Sequence, residues 1–420
     1  MAASEGYRTL GDGLALRSVE SPEDVERVAA FDALIHGEGT EPTWRSWMTE
    51  HPAAQQATWL LIEEEASRRV VASLCLLPWR LHYQGVELRA GEMGVVGTLE
   101  EYRGRGLQRA LNARFSELLR EGGFDLSHIQ GIPYFYRQFG YEYAAPLEAW
   151  WRLHPSAVPD APDGEGLTCR RATPDDLPAL TRLYDEAARA LDLAALRDEA
   201  TWRYLLGPGL RTETGAETWV VAGQDGEVAG YVRIAEHGFG EGLIVAETSL
   251  LSAGAALAAL QLFKRLAAER GKPYIRLNLP ASSALVQVAR GLGAYDGHAY
   301  AWQVRLPDPA ALLRKIAPAL ERRLAASMFA GLTRTLHIDM YRAALLLELD
   351  HGRLARVEAR PPRGPSDVRL PPQLLAPLVL GYRSFGELAA WYPDVSGDGL
   401  ARALVEVLFP KMDAFLYQQY

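Results

Sequence analysis

Hydrophobic and polar positions in the first third of the chain change from the spacing of a strand to that of a helix. Residues 93–99 form a short apolar run rich in β-branched residues, which predicts a buried strand. From Leu107, apolar residues recur at i, i+4, i+8 and i+11, and the pattern stops at Gly122. This spacing predicts an amphipathic helix that ends at the glycine. A strand, a short loop and a helix therefore follow one another directly.

A similar order of elements occurs a second time, 153 positions further along and with a small gap. Residues 16–24 and 169–176 each predict a strand, then a Ser-Pro or Thr-Pro step with acidic residues, then a helix. The predicted helix 106–121 has a counterpart at 255–270. Residues 155–166, rich in proline and glycine, have the composition of a linker. Two copies of one α/β unit are therefore expected in tandem.

The pattern changes after residue 307. Residues 310–326 are amphipathic at helical period, and residues 333–359 alternate as strands around an Asp-His-Gly turn. Residues 374–380 and 399–408 predict two further helices. The sequence thus predicts three units, which we call the first unit (1–154), the second unit (155–306) and the third unit (307–420).

Composition narrows the class of protein. Hydrophobic residues make up 48% of the chain and charged residues 23%, which is typical of a globular protein. The 44 basic and 53 acidic residues give a net charge of −9. This balance argues against a nucleic-acid binder that neutralises phosphates and favours a cationic partner.

Cysteine and histidine patterns indicate no metal site. Cys75 and Cys169 lack CxxC spacing, and the nine histidines form no HExxH motif. The start of the chain has no basic segment followed by an apolar core, and no later segment approaches 18 consecutive apolar residues. We therefore expect a cytoplasmic protein without a metal and without a membrane or nucleic-acid partner.

The loop between the predicted strand and helix carries the candidate chemistry. It contains Arg103-Gly104-Arg105-Gly106 directly before the helix. The first turn of a helix leaves N–H groups unpaired and carries the positive end of the helix dipole, so it can bind a pyrophosphate. Glycine lets the backbone approach such a ligand, and the two arginines add charge-assisted contacts. A solvated basic turn is the alternative, and it is the position between strand and helix that favours an anion site.

At these residues the chain resembles the GCN5-related N-acetyltransferases, whose coenzyme A loop follows the pattern Arg/Gln-x-x-Gly-x-Gly/Ala. Arg103, Gly106 and Gln108 occupy the patterned positions, with Gln108 in place of a small residue. Together with the segment Tyr136–Tyr141, the tandem second unit and the different third unit, the whole chain resembles the Eis (enhanced intracellular survival) acetyltransferases. The resemblance implies an α/β (α+β) fold with a GNAT domain that binds acetyl-CoA, a degenerate second GNAT-like domain and a sterol-carrier-protein-like third domain.

The same resemblance implies the coenzyme-binding residues. The backbone of the strand would bind the pantetheine arm, the loop and helix start would bind the pyrophosphate, and the next strand would complete the groove. The residues are Val96, Gly97, Thr98, Arg103, Gly104, Arg105, Gly106, Leu107, Gln108, Arg109, Gly131 and Ile132. The second unit has Ser-Ala-Gly-Ala at 252–255, without arginine, where the first has its Arg-Gly loop. We therefore expect one coenzyme site in each chain.

Two catalytic residues follow from the family. Transfer to an amine needs a base, because an alkylammonium of pKa about 10 cannot attack while protonated. It also needs an acid for the departing thiolate. The resemblance implies Tyr136 as the acid and the C-terminal carboxylate, here that of Tyr420, as the base. The residues alone do not separate Tyr136 from its neighbours Tyr134, Tyr141 and Tyr143, any of which could be a packed core ring.

The acceptor is indicated only in general terms. Residues 31–47 interleave acids with aromatic residues, which suits a polyamine-like cation, although an ordinary solvated helix and loop fits equally well. The family suggests an aminoglycoside and a homo-oligomer. The alternative, from another class of function, is an acyl-CoA-sensing or lipid-binding protein that uses the third unit and has no acetyltransferase turnover.

Overall fold

Three β-sheets, of ten, seven and five strands, organise the described residues of the protein. The structure is a computed structural model and describes residues 7–148, 150–160, 166–238, 240–297, 300–362 and 366–420. The predicted linker 155–166 therefore lies partly, at 161–165, outside the described residues.

The first unit begins the ten-stranded sheet and contributes three helices. Its strands are β1 (Arg8–Gly11), β2 (Leu14–Ser18), β3 (Thr58–Glu64), β4 (Val70–Tyr83), β5 (Val86–Thr98), β6 (Leu126–Ile129), β7 (Glu142–Glu148) and β8 (Trp150–Leu153). Its helices are α1 (Pro22–His36), α2 (Glu41–Thr49) and α3 (Leu107–Glu121). The predicted strand 93–99 is the end of β5, and the predicted helix after Gly106 is α3, so both local predictions are confirmed.

The second unit forms most of the seven-stranded sheet. Its strands are β9 (Thr168–Arg171), β10 (Leu193–Ala195), β11 (Ala216–Ala222), β12 (Val228–Ala235), β13 (Leu243–Thr248), β14 (Ile275–Asn278), β15 (Tyr295–Asp296) and β16 (Tyr300–Arg305). Its helices are α4 (Leu177–Ala190), α5 (Glu199–Leu206), α6 (Ala253–Glu269) and α7 (Ala284–Gly291).

In both units, an equivalent ion pair joins a strand to the start of the helix that follows it. Arg17 on β2 makes a bidentate pair with Asp24 in the first turn of α1, at 2.7 and 2.6 Å. Arg170 on β9 pairs in the same way with Asp176, directly before α4, at 2.7 and 2.8 Å. The two sheets also share one strand order, β2-β3-β4-β5-β6 in the first and β9-β11-β12-β13-β14 in the second. This common order supports the repeat detected in the sequence.

Each unit inserts one strand between two strands of the other unit's sheet. β16 of the second unit lies between β6 and β7 of the first sheet, and β8 of the first unit lies between β14 and β15 of the second sheet. Nothing in the sequence pattern predicts this exchange. The division into units after residues 154 and 306 stays a prediction about chain segments, since the sheets themselves are shared across it.

The third unit carries the five-stranded sheet, in the order β19-β18-β17-β20-β21. Its strands are β17 (Arg334–Asp339), β18 (Ala344–Asp350), β19 (Arg353–Arg360), β20 (Val368–Arg369) and β21 (Ser396–Gly397), and a last strand, β22 (Ala414–Phe415), joins the first sheet. Its helices are α8 (Pro309–Lys315), α9 (Ala317–Ala325), α10 (Leu375–Val379), α11 (Phe385–Trp391) and α12 (Gly399–Leu408).

Local signals in the third unit are mostly confirmed. β18 and β19 form the predicted hairpin, and both turn residues, His351 and Gly352, have the positive φ that a two-residue turn of type I′ requires. Residues 310–326 are helical, as their period indicates, and they are divided between two helices. Pro318 stands in the first turn of α9, and its missing N–H and its ring prevent α8 from continuing.

The end of the chain, residues 414–420, which we call the tail, is held by the first two units. β22 pairs in parallel with β10 of the second unit, and β10 pairs antiparallel with β4 of the first unit. Leu416, Tyr417 and Tyr420 are buried. The tail is therefore part of the core.

The strand exchange predicts how fragments behave. A fragment of residues 1–154 lacks β16 and exposes the edges of β6 and β7, so we expect no cooperative thermal transition by circular dichroism. A fragment of residues 1–306 keeps both exchanged strands and should unfold cooperatively. A cooperative transition of fragment 1–154 at the temperature of the longer fragment would contradict the structural role of the exchange.

Candidate active site

The site is built where two parallel strands separate. β5 and β6 pair over only three positions, Ala90 with Leu126, Gly91 with Ser127 and Glu92 with His128. β5 then continues to Thr98, whereas β6 ends at Ile129. A bulge at Val95, which has a φ of 49°, bends β5 further within this stretch. The backbone of residues 93–98 thus presents an open edge to which an extended ligand can pair.

The loop before α3 leaves several donors unpaired. Gly104 and Gly106 adopt φ values of 76° and 78°, and a Cβ at either position would meet open space. The backbone N–H groups of residues 104–106 have no acceptor among the described residues. The first two N–H groups of α3 add to them, since a helix start has no intrahelical partners. The geometry is that of an anion site.

The arginines of this loop leave positive charge available. Arg103 and Arg109 are exposed and form no ion pair within the described part of the chain. Arg105 lies over the ring of Tyr102, and its guanidinium is 3.4 Å from the exposed carboxylate of Asp12. Exposed pairs of this kind are weak, so Arg105 can turn to an anion at little cost.

Gln108 connects the helix start to the strand. Its Nε2 donates to the carbonyl oxygen of Gly97 at 2.7 Å and to Oγ1 of Thr98 at 2.9 Å. This residue departs from the small residue of the coenzyme loop pattern. Its side chain has a role of its own, because it fixes the anion site relative to the open edge of β5.

The corresponding helix of the second unit is closed to an anion. Ser252 caps α6, and its side chain accepts a hydrogen bond from the N–H of Ala255 at 3.2 Å. No side chain caps α3 in this way. The sequence difference at 252–255 therefore changes which groups are free at the helix start.

Tyr136 lies beside the end of β6, in the 3-10 helix Phe135–Phe139. Its ring packs so closely on Gly131 that a Cβ there would be 2.2 Å from a ring atom. The side chain is 6% exposed, and its hydroxyl has no hydrogen-bond partner among the described residues. Burial, together with the nearby phenols of Tyr141 and Tyr300, raises the pKa of Tyr136. The phenol is therefore protonated at neutral pH and free to donate.

The neighbouring tyrosines differ from Tyr136. The hydroxyl of Tyr141 is 2.7 Å from Oγ of Ser127 in the core, so it is already satisfied. Tyr134 is 76% exposed. The ring of Tyr143 packs against that of Tyr300, with 5.8 Å between the two ring centroids. Among these four tyrosines, only Tyr136 combines burial beside the open edge with a free hydroxyl.

The exchanged strand β16 shapes the loop after β6. Nε2 of Gln303 donates to the carbonyl oxygens of Gly131 at 2.9 Å and of Ile132 at 3.3 Å, and the hydroxyl of Tyr300 also donates to Gly131. The side chain of Ile132 is 65% exposed. The second unit thus positions two of the predicted groove residues.

Tyr420 lies at the base of the opening. Its side chain is 5% exposed. The centroid of its ring is 4.0 Å from the ring centroid of Trp47 and 6.0 Å from that of Trp79. Its hydroxyl donates to Oε1 of Glu92 at 2.8 Å. Glu92 belongs to the last pair before β5 and β6 separate. The structure therefore brings the last residue of the sequence to the point where the open edge begins.

Buried polar groups surround Tyr420, and they were not predicted from the sequence. Burial raises the pKa of Glu92 to about 8, against hydrogen bonds from Tyr420 and Trp79 that lower it. Burial also lowers the pKa of His128 to about 3, so its ring, packed between Trp79 and Trp302, is neutral. A glutamate beside the apolar run at 93–99 was the one signal in the sequence.

A second buried carboxyl lies on α1. Asp32 accepts a hydrogen bond from Oγ of Ser73 at 2.5 Å, and burial raises its pKa well above the usual range. Ser73 pairs with Gly97 of the open strand. Of the segment 31–47, Asp32 and Trp47 therefore lie near the site, whereas Glu38 is exposed on the loop after α1.

The comparisons with known proteins agree with this geometry. Residues 16–144 match the family of the acetyltransferase (GNAT) domain. No curated protein matches the chain. Residues 16–144 therefore form a GNAT acetyltransferase domain. The protein is an acetyl-CoA-dependent acyltransferase, with acetyl-CoA as its co-substrate. This class implies a small-molecule acceptor.

Solved structures match the fold over nearly the whole chain. A probable N-acyltransferase from Enterococcus faecalis V583 has a TM-score of 0.73 at 15% identity, covering 97% of this chain and 99% of that one. A GCN5-related N-acetyltransferase from Kribbella flavida has a TM-score of 0.70 at 17% identity, with 98% and 100% covered. Eis1 from Mycobacterium abscessus has a TM-score of 0.64 at 17% identity, with 97% and 100% covered. These likenesses establish the shared fold.

No group of three or more His, Cys, Asp or Glu side chains among the described residues is arranged to hold a metal ion. No helix in the same part of the chain is both long and apolar enough to cross a membrane.

The raised pKa of Glu92 predicts a pH-dependent stability. The folded protein holds this proton more tightly than the unfolded chain, so stability is full below the ordinary pKa of 4.5 and is lost as the pH rises towards about 8. Between pH 5 and pH 8, the free energy of unfolding of the wild type should fall by about 3 kcal/mol more than that of Glu92→Gln. Urea unfolding at both pH values measures this, and equal falls would contradict the protonated carboxyl.

Proposed function

We propose that the protein is an Eis-like N-acetyltransferase that transfers the acetyl group of acetyl-CoA to an amine of a cationic acceptor, of aminoglycoside or polyamine type. The acceptor amine attacks directly in a ternary complex. Tyr136 is the general acid, and the carboxylate of Tyr420 is the general base. The observation that carries this proposal is the position of Tyr420, whose hydroxyl contacts Glu92 where β5 and β6 separate.

The coenzyme is proposed to bind along the open edge and the loop. The backbone of residues 96–98 and the residues Gly131 and Ile132 would border its extended arm, and residues 103–109 would hold its pyrophosphate. The unpaired N–H groups at 104–106 and the unpaired Arg103 and Arg109 support this assignment. An N–H of the bulged stretch near Val96 would polarise the thioester carbonyl.

The proton transfers are assigned to the chain's own groups. The Tyr420 carboxylate takes a proton from the acceptor ammonium, and the freed amine nitrogen forms a bond to the acetyl carbon. As the carbon–sulfur bond breaks, the Tyr136 hydroxyl gives its proton to the leaving sulfur. The nitrogen then loses its second proton to the Tyr136 phenolate, which restores the acid, and the proton on the Tyr420 carboxylate passes to solvent. The raised pKa of Tyr136 keeps the phenol protonated at neutral pH, which is the state that the role of acid requires.

The acceptor class rests on charge and on aromatic rings. The net charge of the chain is −9, and the rings of Trp47 and Trp79 lie against Tyr420. Such surroundings favour an ammonium over an anion. We further propose that the second unit is a degenerate GNAT-like domain, that the third is sterol-carrier-like, and that the protein is a homo-oligomer.

Replacing Tyr136 tests the acid. Tyr136→Phe keeps the ring on Gly131 and removes the hydroxyl, so kcat should fall about 100-fold with the KM for acetyl-CoA within about twofold of the wild type. Thiol release with a panel of aminoglycosides and polyamines measures both constants. The matched control is Tyr134→Phe, at an exposed hydroxyl, which should behave as the wild type. An unchanged kcat for Tyr136→Phe would exclude the hydroxyl as the acid.

Changes at Tyr420 test the base. Deleting Tyr420 moves the terminal carboxylate back by one residue, so kcat should fall about 100-fold. Tyr420→Phe retains the carboxylate and the ring contact with Trp47 and loses only the hydrogen bond to Glu92, so its kcat should fall less than about tenfold. Full activity of the deletion variant, measured by the same thiol assay, would contradict the role of this carboxylate.

A further inference from the structure

We infer that Arg197 and Glu247 of the second unit are positioning residues that hold the tail and thereby orient Tyr420. The inference rests on the proposed function for its catalytic consequence. The contacts themselves are independent of that proposal.

Arg197 contacts the tail directly. Its Nη2 donates to the carbonyl oxygen of Gln418 at 2.8 Å, and its Nε donates to Oε1 of Gln419 at 3.1 Å. Its guanidinium lies 4.1 Å from the ring centroid of Tyr184 and 4.5 Å from that of Trp202, so the group is enclosed on its flat faces. The arginine therefore has a single orientation, directed at the residues that precede Tyr420.

Glu247 fixes that orientation. Its two carboxylate oxygens accept from Nη1 and Nη2 of Arg197 at 2.7 and 2.8 Å, and both side chains are fully buried. The carboxylate also accepts from the hydroxyl of Tyr231 at 2.7 Å. Burial alone would lower the pKa of Arg197, but the facing carboxylate outweighs it and raises that pKa. The pair is thus charged and rigid, as bidentate arginine–carboxylate pairs are.

Two further contacts hold the tail beside those of Arg197. Arg197 lies two residues after the end of β10, and β10 lies between β4 of the first unit and β22 of the tail. Nε2 of His51 lies 3.0 Å from the carbonyl oxygen of Gln419. Because the N–H of Ala53 donates to Nδ1 of the same ring, Nε2 carries the proton and donates to Gln419.

These contacts indicate that the second unit holds the tail in place. Its own helix start is capped by Ser252 and offers no open anion site, yet its buried ion pair holds the backbone carbonyl of Gln418 and the side chain of Gln419. A small displacement of a reacting group is enough to slow catalysis, so loss of the pair should reduce turnover without weakening coenzyme binding.

The test compares two lysine substitutions that each retain charge and remove a bidentate pair. Arg197→Lys removes the contacts to the tail. Arg17→Lys is the matched control, since Arg17 is buried and paired with Asp24 and Glu63 but is remote from the tail. For both full-length proteins we would measure kcat, the KM for acetyl-CoA, and the rate at which a carboxypeptidase specific for aromatic termini releases tyrosine.

Arg197→Lys should release tyrosine about tenfold faster and lower kcat about tenfold, with the KM for acetyl-CoA within about twofold of the wild type. Arg17→Lys should match the wild type in all three. When Tyr420 is deleted, Arg197→Lys should cause no further loss of kcat, because the arginine acts through the tail. Tyrosine release at the wild-type rate would overturn the inference.

The outcomes separate this inference from the proposed function. Faster release with unchanged kcat supports the hold on the tail and contradicts the carboxylate as base. If Arg197→Lys does not fold, Gln419→Ala serves instead, since it leaves the ion pair intact and removes an acceptor of Arg197 on the tail. Release from Gln419→Ala at the wild-type rate would also overturn the inference.

Discussion

The separation of β5 from β6 after the Glu92–His128 pair is the feature on which the rest of the structure depends. It frees the backbone of residues 93–98 from ladder hydrogen bonds on one edge, and unpaired buried backbone groups are costly unless a ligand or water satisfies them. The opening also sets the position of every other part. Tyr136 borders it beside the end of β6, the loop before α3 lies beyond the end of β5, and Tyr420 lies at its base.

Contacts from outside the first unit maintain this opening. β16 pairs with β6 and, through Gln303, holds the loop that carries Gly131 and Ile132. β10 joins β4 to the tail, and the pair of Arg197 and Glu247 holds Gln418. The GNAT acetyltransferase domain is thus completed by strands and side chains from the rest of the chain. This explains in physical terms why a domain matched over residues 16–144 is embedded in 420 residues.

Local structure could be predicted from the sequence because its causes are local. The glycines of the loop, the Ser-Pro and Thr-Pro helix starts and the His-Gly turn specify nearby backbone angles, and the structure has them at those positions. The strand exchange could not be predicted, since alternation shows that a strand is half-buried but not in which sheet. The contact of Glu92 with Tyr420 joins residues 328 positions apart, and no spacing rule reaches so far. The break between α8 and α9 was missed because periodicity continued across Pro318.

The central claim is that Tyr136 and the Tyr420 carboxylate approach the same reacting group from two sides of one opening. A crystal structure of the protein with coenzyme A bound tests it most directly, through the distances from the coenzyme sulfur to the Tyr136 hydroxyl and to the Tyr420 carboxylate. The account predicts the hydroxyl within about 3.5 Å of the sulfur and the carboxylate beside it, within reach of an attacking amine or of one bridging water. A coenzyme sulfur remote from Tyr136, or a Tyr420 carboxylate directed to bulk solvent, would contradict it.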